Sequence, residues 1–97
     1  MERFVYLNNL YDFYKELFTE KQKEYFEDYY WNNLSLGEIA DNCGVSRNAV
    51  HNQLKIMEER LDEIESKLKL YEKRNEIISL LNDKIDDELL ERIKNLL

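Results

Sequence analysis

The sequence predicts an all-α protein: one small helical domain that continues into a long C-terminal helical arm. Proline is absent and glycine occurs only twice in 97 residues, so few positions oppose helix formation. Apolar residues recur at spacings of three and four along most of the chain, which is the period of an amphipathic helix. We expect residues 1–55 to hold N-terminal helices and a helix-turn-helix, and residues 56–97 to hold the arm and a terminal helix, as one continuous structural unit.

Two helices are predicted before residue 35. The first should run from about Arg3 to Phe18, because apolar side chains repeat there at helical spacing: Phe4, Leu7, Tyr11, Tyr14 and Phe18. The second should run from about Glu20 to Trp31. It opens with a capping box, in which Thr19 and Gln22 each accept a backbone N–H that the helix cannot satisfy.

The second helix is rich in aromatic side chains: Tyr25, Phe26, Tyr29, Tyr30 and Trp31. If they were exposed, they could form a platform on which nucleic-acid bases stack. Their helical spacing instead favours packing in the core. Since Tyr30 and Trp31 cannot both point inward with Phe26, we expect one of them to be exposed near the next loop.

Residues 35–55 have the pattern of a helix-turn-helix. Ser35 and Glu38 can form a capping box for the first helix, and Gly44 lies in the turn, where a positive φ favours glycine. Ser46 can cap the second helix. The small Ala40 lies where the helices would cross. Apolar residues on the two helices can close a small core: Ile39, Cys43, Val50 and Leu54. We therefore expect Cys43 to be a buried hydrophobic residue beneath the turn.

The second helix of this motif presents a face suited to nucleic acid. Residues 42–57 contain no Asp or Glu, although the average of 21 acids in 97 residues would place about three to four in such a window. In a helix-turn-helix, the second helix enters the major groove with hydrogen-bonding side chains near its start. The predicted nucleic-acid contacts are Ser46, Arg47, Asn48, His51, Asn52 and Lys55.

The same helix carries a heptad seam beyond the motif. Its predicted interface residues are Leu54, Met57, Leu61, Ile64, Leu68 and Tyr71. No Gly or Pro interrupts the pattern up to Leu81, so we expect one helix over residues 47–81, about 50 Å long. The seam can pair with a second copy, giving a homodimer, or with other helices of the same chain; the first alternative is favoured. The pattern breaks near Asn82, and Asp86 can cap a last helix.

Charge and composition limit the possible functions. The formal net charge is −7, which opposes simple DNA binding because non-specific affinity comes from Lys and Arg that neutralise phosphates. We find no Gly-rich phosphate loop, no paired Cys or His, and only one His, so neither an enzyme, a cofactor nor a metal site is predicted. No apolar run is long enough to span a membrane, and a single Cys excludes an internal disulfide. We expect a cytoplasmic location.

Two segments carry a resemblance to known proteins. The stretch FTEKQKEYFEDYYWNNLSLGEIA is similar to the start of region 4 of bacterial sigma factors, with Asn33 where that pattern often has Gly. With VSRNAV and the long helix LKIMEERLDEIESKLKLYE, nearly the whole chain resembles the YlxM family. The resemblance implies a sigma-region-4-like helix-turn-helix and a link to the signal recognition particle pathway. The implied partner is the particle's GTPase or its small RNA.

Two functions of different class follow. The resemblance favours an accessory protein of the signal recognition particle, with possible RNA or DNA binding through the second helix of the motif. The helix-turn-helix alone favours the alternative, a DNA-binding transcriptional regulator. The acidic charge favours the first.

Overall fold

The computed structural model describes residues 2–97, and in that part of the chain it contains six α-helices and no strand. This confirms the all-α prediction. The helices are α1 (Glu2–Tyr14), α2 (Glu20–Tyr30), α3 (Leu36–Cys43), α4 (Arg47–Leu68), α5 (Leu70–Leu81) and α6 (Asp87–Leu96). The described residues form two compact units: the first extends to Ile64 and the second is Glu65–Leu97. The division lies further along α4 than the boundary after residue 55 that the sequence suggested.

The first helix is shorter than the sequence predicted. α1 ends at Tyr14, and a 3-10 turn over Lys15–Leu17 follows it. Phe18 then takes an extended conformation, with φ −106° and ψ 157°, and its N–H donates to the carbonyl of Lys15 at 3.1 Å. Thr19, which caps α2, is extended as well, with φ −70° and ψ 161°.

Local hydrogen bonds define the start of α2 and of α3. In the first capping box, Thr19 Oγ1 accepts the N–H of Gln22 at 3.1 Å, and the Gln22 side chain accepts the N–H of Thr19. Ser35 and Glu38 form the second box with distances of 3.1 and 3.0 Å. Asn33 takes the left-handed conformation, with φ 57°. The two capping boxes were predicted from the sequence and are confirmed.

A stack of aromatic rings forms the core of the first unit. Tyr11 and Phe26 are fully buried with ring centroids 4.0 Å apart, and Phe26 stacks on Tyr30 at the same distance. Phe4 covers Tyr30 from the outer side at 4.4 Å. The stack joins α1 to α2, which confirms that most aromatic residues of α2 serve the core.

Polar contacts join α1, α2 and α4 around this core. The buried Tyr11 hydroxyl donates to Glu27 at 2.5 Å. Tyr30 donates to Glu58 on α4 at 2.8 Å, while Arg3 forms an ion pair with Asp62. Because the Arg3–Asp62 pair is largely exposed, it contributes no more than about 1 kcal/mol. The half-buried Tyr30–Glu58 hydrogen bond therefore positions α4 more firmly than that ion pair does, while Tyr11 joins α1 to α2.

The prediction that Cys43 is a buried core residue is wrong. Its side chain is only half-buried, and its thiol donates to Glu24 at 3.6 Å. Partial burial and the neighbouring Glu24 carboxylate both raise the pKa of this thiol. The Sγ atom lies against the polar surface of α2 because Glu24 approaches it there. Val50 and Ile39, both fully buried, close the small core without it.

The single chain buries part of the heptad seam. Met57 and Leu61 are fully buried and Leu54 is nearly so, which leaves these three side chains no surface for a second copy in this conformation. Ile64 and Tyr71 are half-buried, and Leu68 is 49% exposed. Leu68 is therefore the seam residue that stays most open to the predicted dimer contact.

The prediction of one helix over residues 47–81 is wrong. α4 ends at Leu68, and Lys69 takes the left-handed conformation, with φ 55° and ψ 26°. The buried side chain of Glu65 explains the break, because its carboxylate accepts the N–H of Tyr71 at 3.1 Å and of Glu72 at 3.0 Å. The first N–H groups of a helix lack partners within it, and a carboxylate at that end is favourable. Glu65 thus caps α5 from the preceding helix.

The second unit ends with the predicted terminal helix. Asp86 caps α6 by accepting the N–H of Leu89 at 2.7 Å, and α5 ends at Leu81 as the pattern break near Asn82 indicated. Leu90 is buried. The neighbouring Leu89 is 42% exposed.

Candidate nucleic-acid interface

The helix-turn-helix has the geometry that the sequence predicted. Gly44 ends α3 with φ 67°, and no atom lies within 4 Å of the Cβ position, so this glycine is needed for its backbone conformation rather than for space. Ser46 Oγ accepts the N–H of Ala49 at 3.1 Å and so caps α4. The turn and the cap together fix the direction in which α4 leaves the motif.

All six predicted contact residues are exposed. They are Ser46, Arg47, Asn48, His51, Asn52 and Lys55. Buried Val50 and Leu54 occupy the opposite side of the helix. The exposure of these residues is confirmed, and contact with nucleic acid stays a prediction.

Five of the six line one groove, which we call the α4 groove. Its first segment is lined by Leu36, Ser46, Arg47, Asn48 and His51. Its second segment is lined by Tyr29, Leu36, His51, Leu54, Lys55 and Glu58. Because Leu36 and His51 line both, the two segments lie side by side. Asn48, His51 and Lys55 share this side of α4 since they are three and four residues apart.

Asn52 lies apart from the other five. It lines a second groove, together with Thr19, Lys21, Gln22, Tyr25, Ala49 and Gln53. The neighbouring Gln53 accepts a hydrogen bond from Gln22 at 3.3 Å. One residue further along a helix means a rotation of about 100°, so His51 and Asn52 face different grooves although they are adjacent in sequence.

The Arg47 side chain passes close to Gly37 in α3. A Cβ atom at Gly37 would lie 3.9 Å from Arg47 Cδ and 4.0 Å from Nε, which is ordinary van der Waals contact. The apolar part of Arg47 therefore lies across the first turn of α3.

The charge along the α4 groove changes from one end to the other. Arg47 and Lys55 are its permanent cations, and the next acid along α4 is Glu58. The Glu58 carboxylate accepts the Tyr30 hydroxyl at 2.8 Å, and burial together with this hydrogen bond raises the pKa of Tyr30. A phosphate would therefore be attracted near Arg47 and repelled near Glu58.

Sequence reasoning missed two residues of the groove. Tyr29 was assigned to the core with the other aromatic residues of α2, yet it is only half-buried and lines the groove. Leu36 was not among the residues that the sequence pattern singled out. The spacing of Tyr29 and Tyr30 held a usable signal, because adjacent helical residues cannot both face one core.

Trp31 is the exposed aromatic residue that the sequence anticipated. Its side chain is 45% exposed, and its indole N–H donates to Asn8 at 2.7 Å. Lys15 Nζ lies 5.8 Å from the ring centroid. These contacts hold Trp31 against α1, and it does not line the α4 groove.

Within residues 2–97, no three His, Cys, Asp or Glu side chains come together in a group that could hold a metal ion. No helix in the same range is both long and apolar enough to cross a membrane.

Comparison with known proteins identifies the family. The model of a family of YlxM / p13-like helix-turn-helix proteins matches residues 1–96. A UPF0122 protein of Halalkalibacterium halodurans is 43% identical over 91 residues, covering 91% of this chain and 84% of the relative. One from Fusobacterium nucleatum is 42% identical over 101 aligned residues, covering 100% of this chain and 98% of the relative. One from Shouchella clausii is 47% identical over 81 residues, covering 84% of this chain and 74% of the relative. The chain therefore belongs to the UPF0122 family of YlxM / p13-like helix-turn-helix proteins.

Proposed function

We propose that this chain is an accessory protein of the signal recognition particle pathway, which binds the particle's small RNA through the α4 groove. It is a binding protein rather than an enzyme, and the role implies the cytoplasm. The observation that carries the proposal is the convergence of five exposed polar or basic side chains on one groove, in a stretch of 16 residues without an acid. The link to the particle comes from the family resemblance in the sequence.

Electrostatics favour a small, specific contact over a broad one. The groove offers two permanent cations, whereas the whole chain carries a net charge of −7. Binding to single-stranded RNA that neutralises two phosphates should give a slope of about −1.4 in log K against log salt concentration. Such a slope is far shallower than that of a basic DNA-binding domain. The particle's GTPase would add affinity if it also contacts this chain, and that contact is tested separately below.

The test uses Arg47→Ala with Arg60→Ala as a matched control. Both arginines are exposed on α4, but Arg60 does not line the groove. We expect Arg47→Ala to weaken RNA binding by about 1–3 kcal/mol and to reduce the salt slope by about 0.7, with the thermal midpoint nearly unchanged. Arg60→Ala should bind as the wild type does.

Two results would contradict the proposal. Equal losses for the two variants would mean that binding is diffuse, and no binding of the wild type to the particle's RNA at low salt would remove RNA as the ligand. Recovery of tagged protein from cells, with identification of bound protein and RNA together, tests the GTPase arm. Absence of both particle components from that sample would remove the pathway assignment.

A DNA-binding transcriptional regulator is the second candidate. The observation that favours it is the capped start of α4 after the Gly44 turn, which presents Arg47, Asn48 and His51 as a major-groove helix would. Competition at one fixed salt concentration separates the candidates. A duplex selected from genomic fragments and bound in the nanomolar range without a partner would favour the regulator.

A further inference from the structure

The second segment of the α4 groove contains side chains that duplex binding by a helix-turn-helix does not require. It encloses about 380 Å³, and its lining combines a half-buried aromatic ring with aliphatic side chains, an imidazole, a cation and a carboxylate. These groups come from Tyr29, Leu36, Leu54, His51, Lys55 and Glu58. A pocket with apolar walls and a few polar groups is the usual form of a site for a small planar ligand.

We propose that this segment is a slot for one unpaired nucleobase of single-stranded RNA, with Tyr29 as the stacking surface. The inference rests on the proposed function and specifies the form of nucleic acid that the groove accepts. A base within a duplex has both faces covered by its neighbours, so only an unpaired base can present a face to Tyr29.

The structure holds the Tyr29 ring in place before any ligand arrives. Tyr30 packs edge-to-face against it, with centroids 5.4 Å apart and an interplanar angle of 70°. Tyr30 is itself fixed by its stack on Phe26 and by its hydrogen bond to Glu58. A stacking surface that is already ordered loses little conformational freedom on binding.

Charge selects a single strand over a duplex. An acidic chain with two cations in its groove gains little from counterion release, so it needs another source of affinity, and base stacking supplies one that is independent of salt. Arg47 and Lys55 are eight residues apart on α4, or about 12 Å along its axis. At about 3.4 Å per stacked nucleotide, that distance spans about three to four nucleotide steps of one strand.

Glu58 gives the slot a direction and a base preference. Its carboxylate repels phosphate, so the backbone should follow Arg47 and Lys55 while the base points toward Glu58. One oxygen of Glu58 accepts the Tyr30 hydroxyl, and the other can accept a hydrogen bond from an exocyclic amino group. Cytosine carries such an amino group where uracil carries a carbonyl oxygen, so between the two pyrimidines the slot should prefer cytosine.

The test measures binding of the full chain to oligocytidine RNA, oligouridine RNA and an RNA duplex of equal length at one salt concentration. The wild type should bind oligocytidine most tightly and the duplex least. Tyr29→Leu should weaken oligocytidine binding by about 5- to 150-fold without changing duplex affinity, whereas Tyr29→Phe should keep it. Glu58→Gln should reduce the preference for cytosine.

The outcomes separate this inference from the proposed function. If Tyr29→Leu binds as the wild type does while Arg47→Ala is weakened, the slot is wrong and the groove remains a nucleic-acid site. If the wild type binds the duplex at least as tightly as oligocytidine, the slot is wrong whatever the variants do. If the wild type binds neither the three test RNAs nor the particle's RNA at low salt, both the slot and the proposed function are wrong.

Discussion

Replacing Lys69 by glycine should stabilise the protein, although glycine normally destabilises helices. Lys69 lies between α4 and α5 with φ 55° and ψ 26°, a conformation that costs a residue with a Cβ atom about 1–2 kcal/mol. Glycine adopts it freely but loses about 0.5–1 kcal/mol more backbone entropy on folding. The net effect of Lys69→Gly is then a gain of about 0.5–1 kcal/mol.

A continuous helix would give the opposite sign. Lysine is a good helix former, and glycine in a helix interior costs about 0.5–1 kcal/mol relative to it. Lys73→Gly is the matched control, because Lys73 is exposed inside α5 and should show this loss. The two variants should therefore differ by about 1–2 kcal/mol although they exchange the same residue types.

Urea and thermal unfolding, followed by far-UV circular dichroism, can measure the difference. A change of 1 kcal/mol moves the thermal midpoint of a chain of this size by about 4–8 °C, so opposite shifts of several degrees are expected. Equal losses of stability for Lys69→Gly and Lys73→Gly would refute the break at Lys69. They would restore the single helix that the heptad pattern predicted.

Two further predictions concern pH and assembly. Hydrogen bonds from Ser35 lower the folded-state pKa of Glu38 below 4.5, so the folded state favours the carboxylate. The stability that the ionised Glu38 contributes is present above about pH 4.5. It is lost as the pH falls through the folded-state pKa. Glu38→Gln should flatten that part of the curve of unfolding free energy against pH, and an unchanged curve would contradict the capping box. Leu61→Lys should unfold the protein or cost at least about 3 kcal/mol, because it places an unpaired charge at a fully buried position. Leu68→Lys should leave the fold intact and separate the dimer that we propose, as measured by light scattering; a wild type that is monomeric at high micromolar concentration would exclude the dimer.

The local features of the motif follow from the sequence alone. The capping boxes at Thr19 and Ser35, the positive φ at Gly44 and the cap at Ser46 all involve partners within four residues, so a short stretch of sequence specifies them completely. The same holds for the exposed face of α4. Helical spacing separates Val50 and Leu54 from the polar residues, whatever the rest of the chain does.

Tertiary structure decided where the long helix ends. No Gly or Pro marks Lys69, and the acceptor that stabilises the break is Glu65, which reaches backbone groups six and seven residues away. Whether a carboxylate caps a new helix or faces solvent depends on its burial, which the pattern of residue types does not specify. A heptad repeat shows that a face will be covered, but it does not show by what.

Tertiary structure also decided how the candidate interface is divided. The sequence placed six residues on one exposed face, and packing against α2 and α3 separated Asn52 from the other five and added Tyr29 and Leu36 to them. For the same reason, Cys43 lies at the surface beside Glu24 rather than in the core that the sequence predicted. A helix determines the direction of its own side chains, but the grooves between helices exist only once the helices have packed.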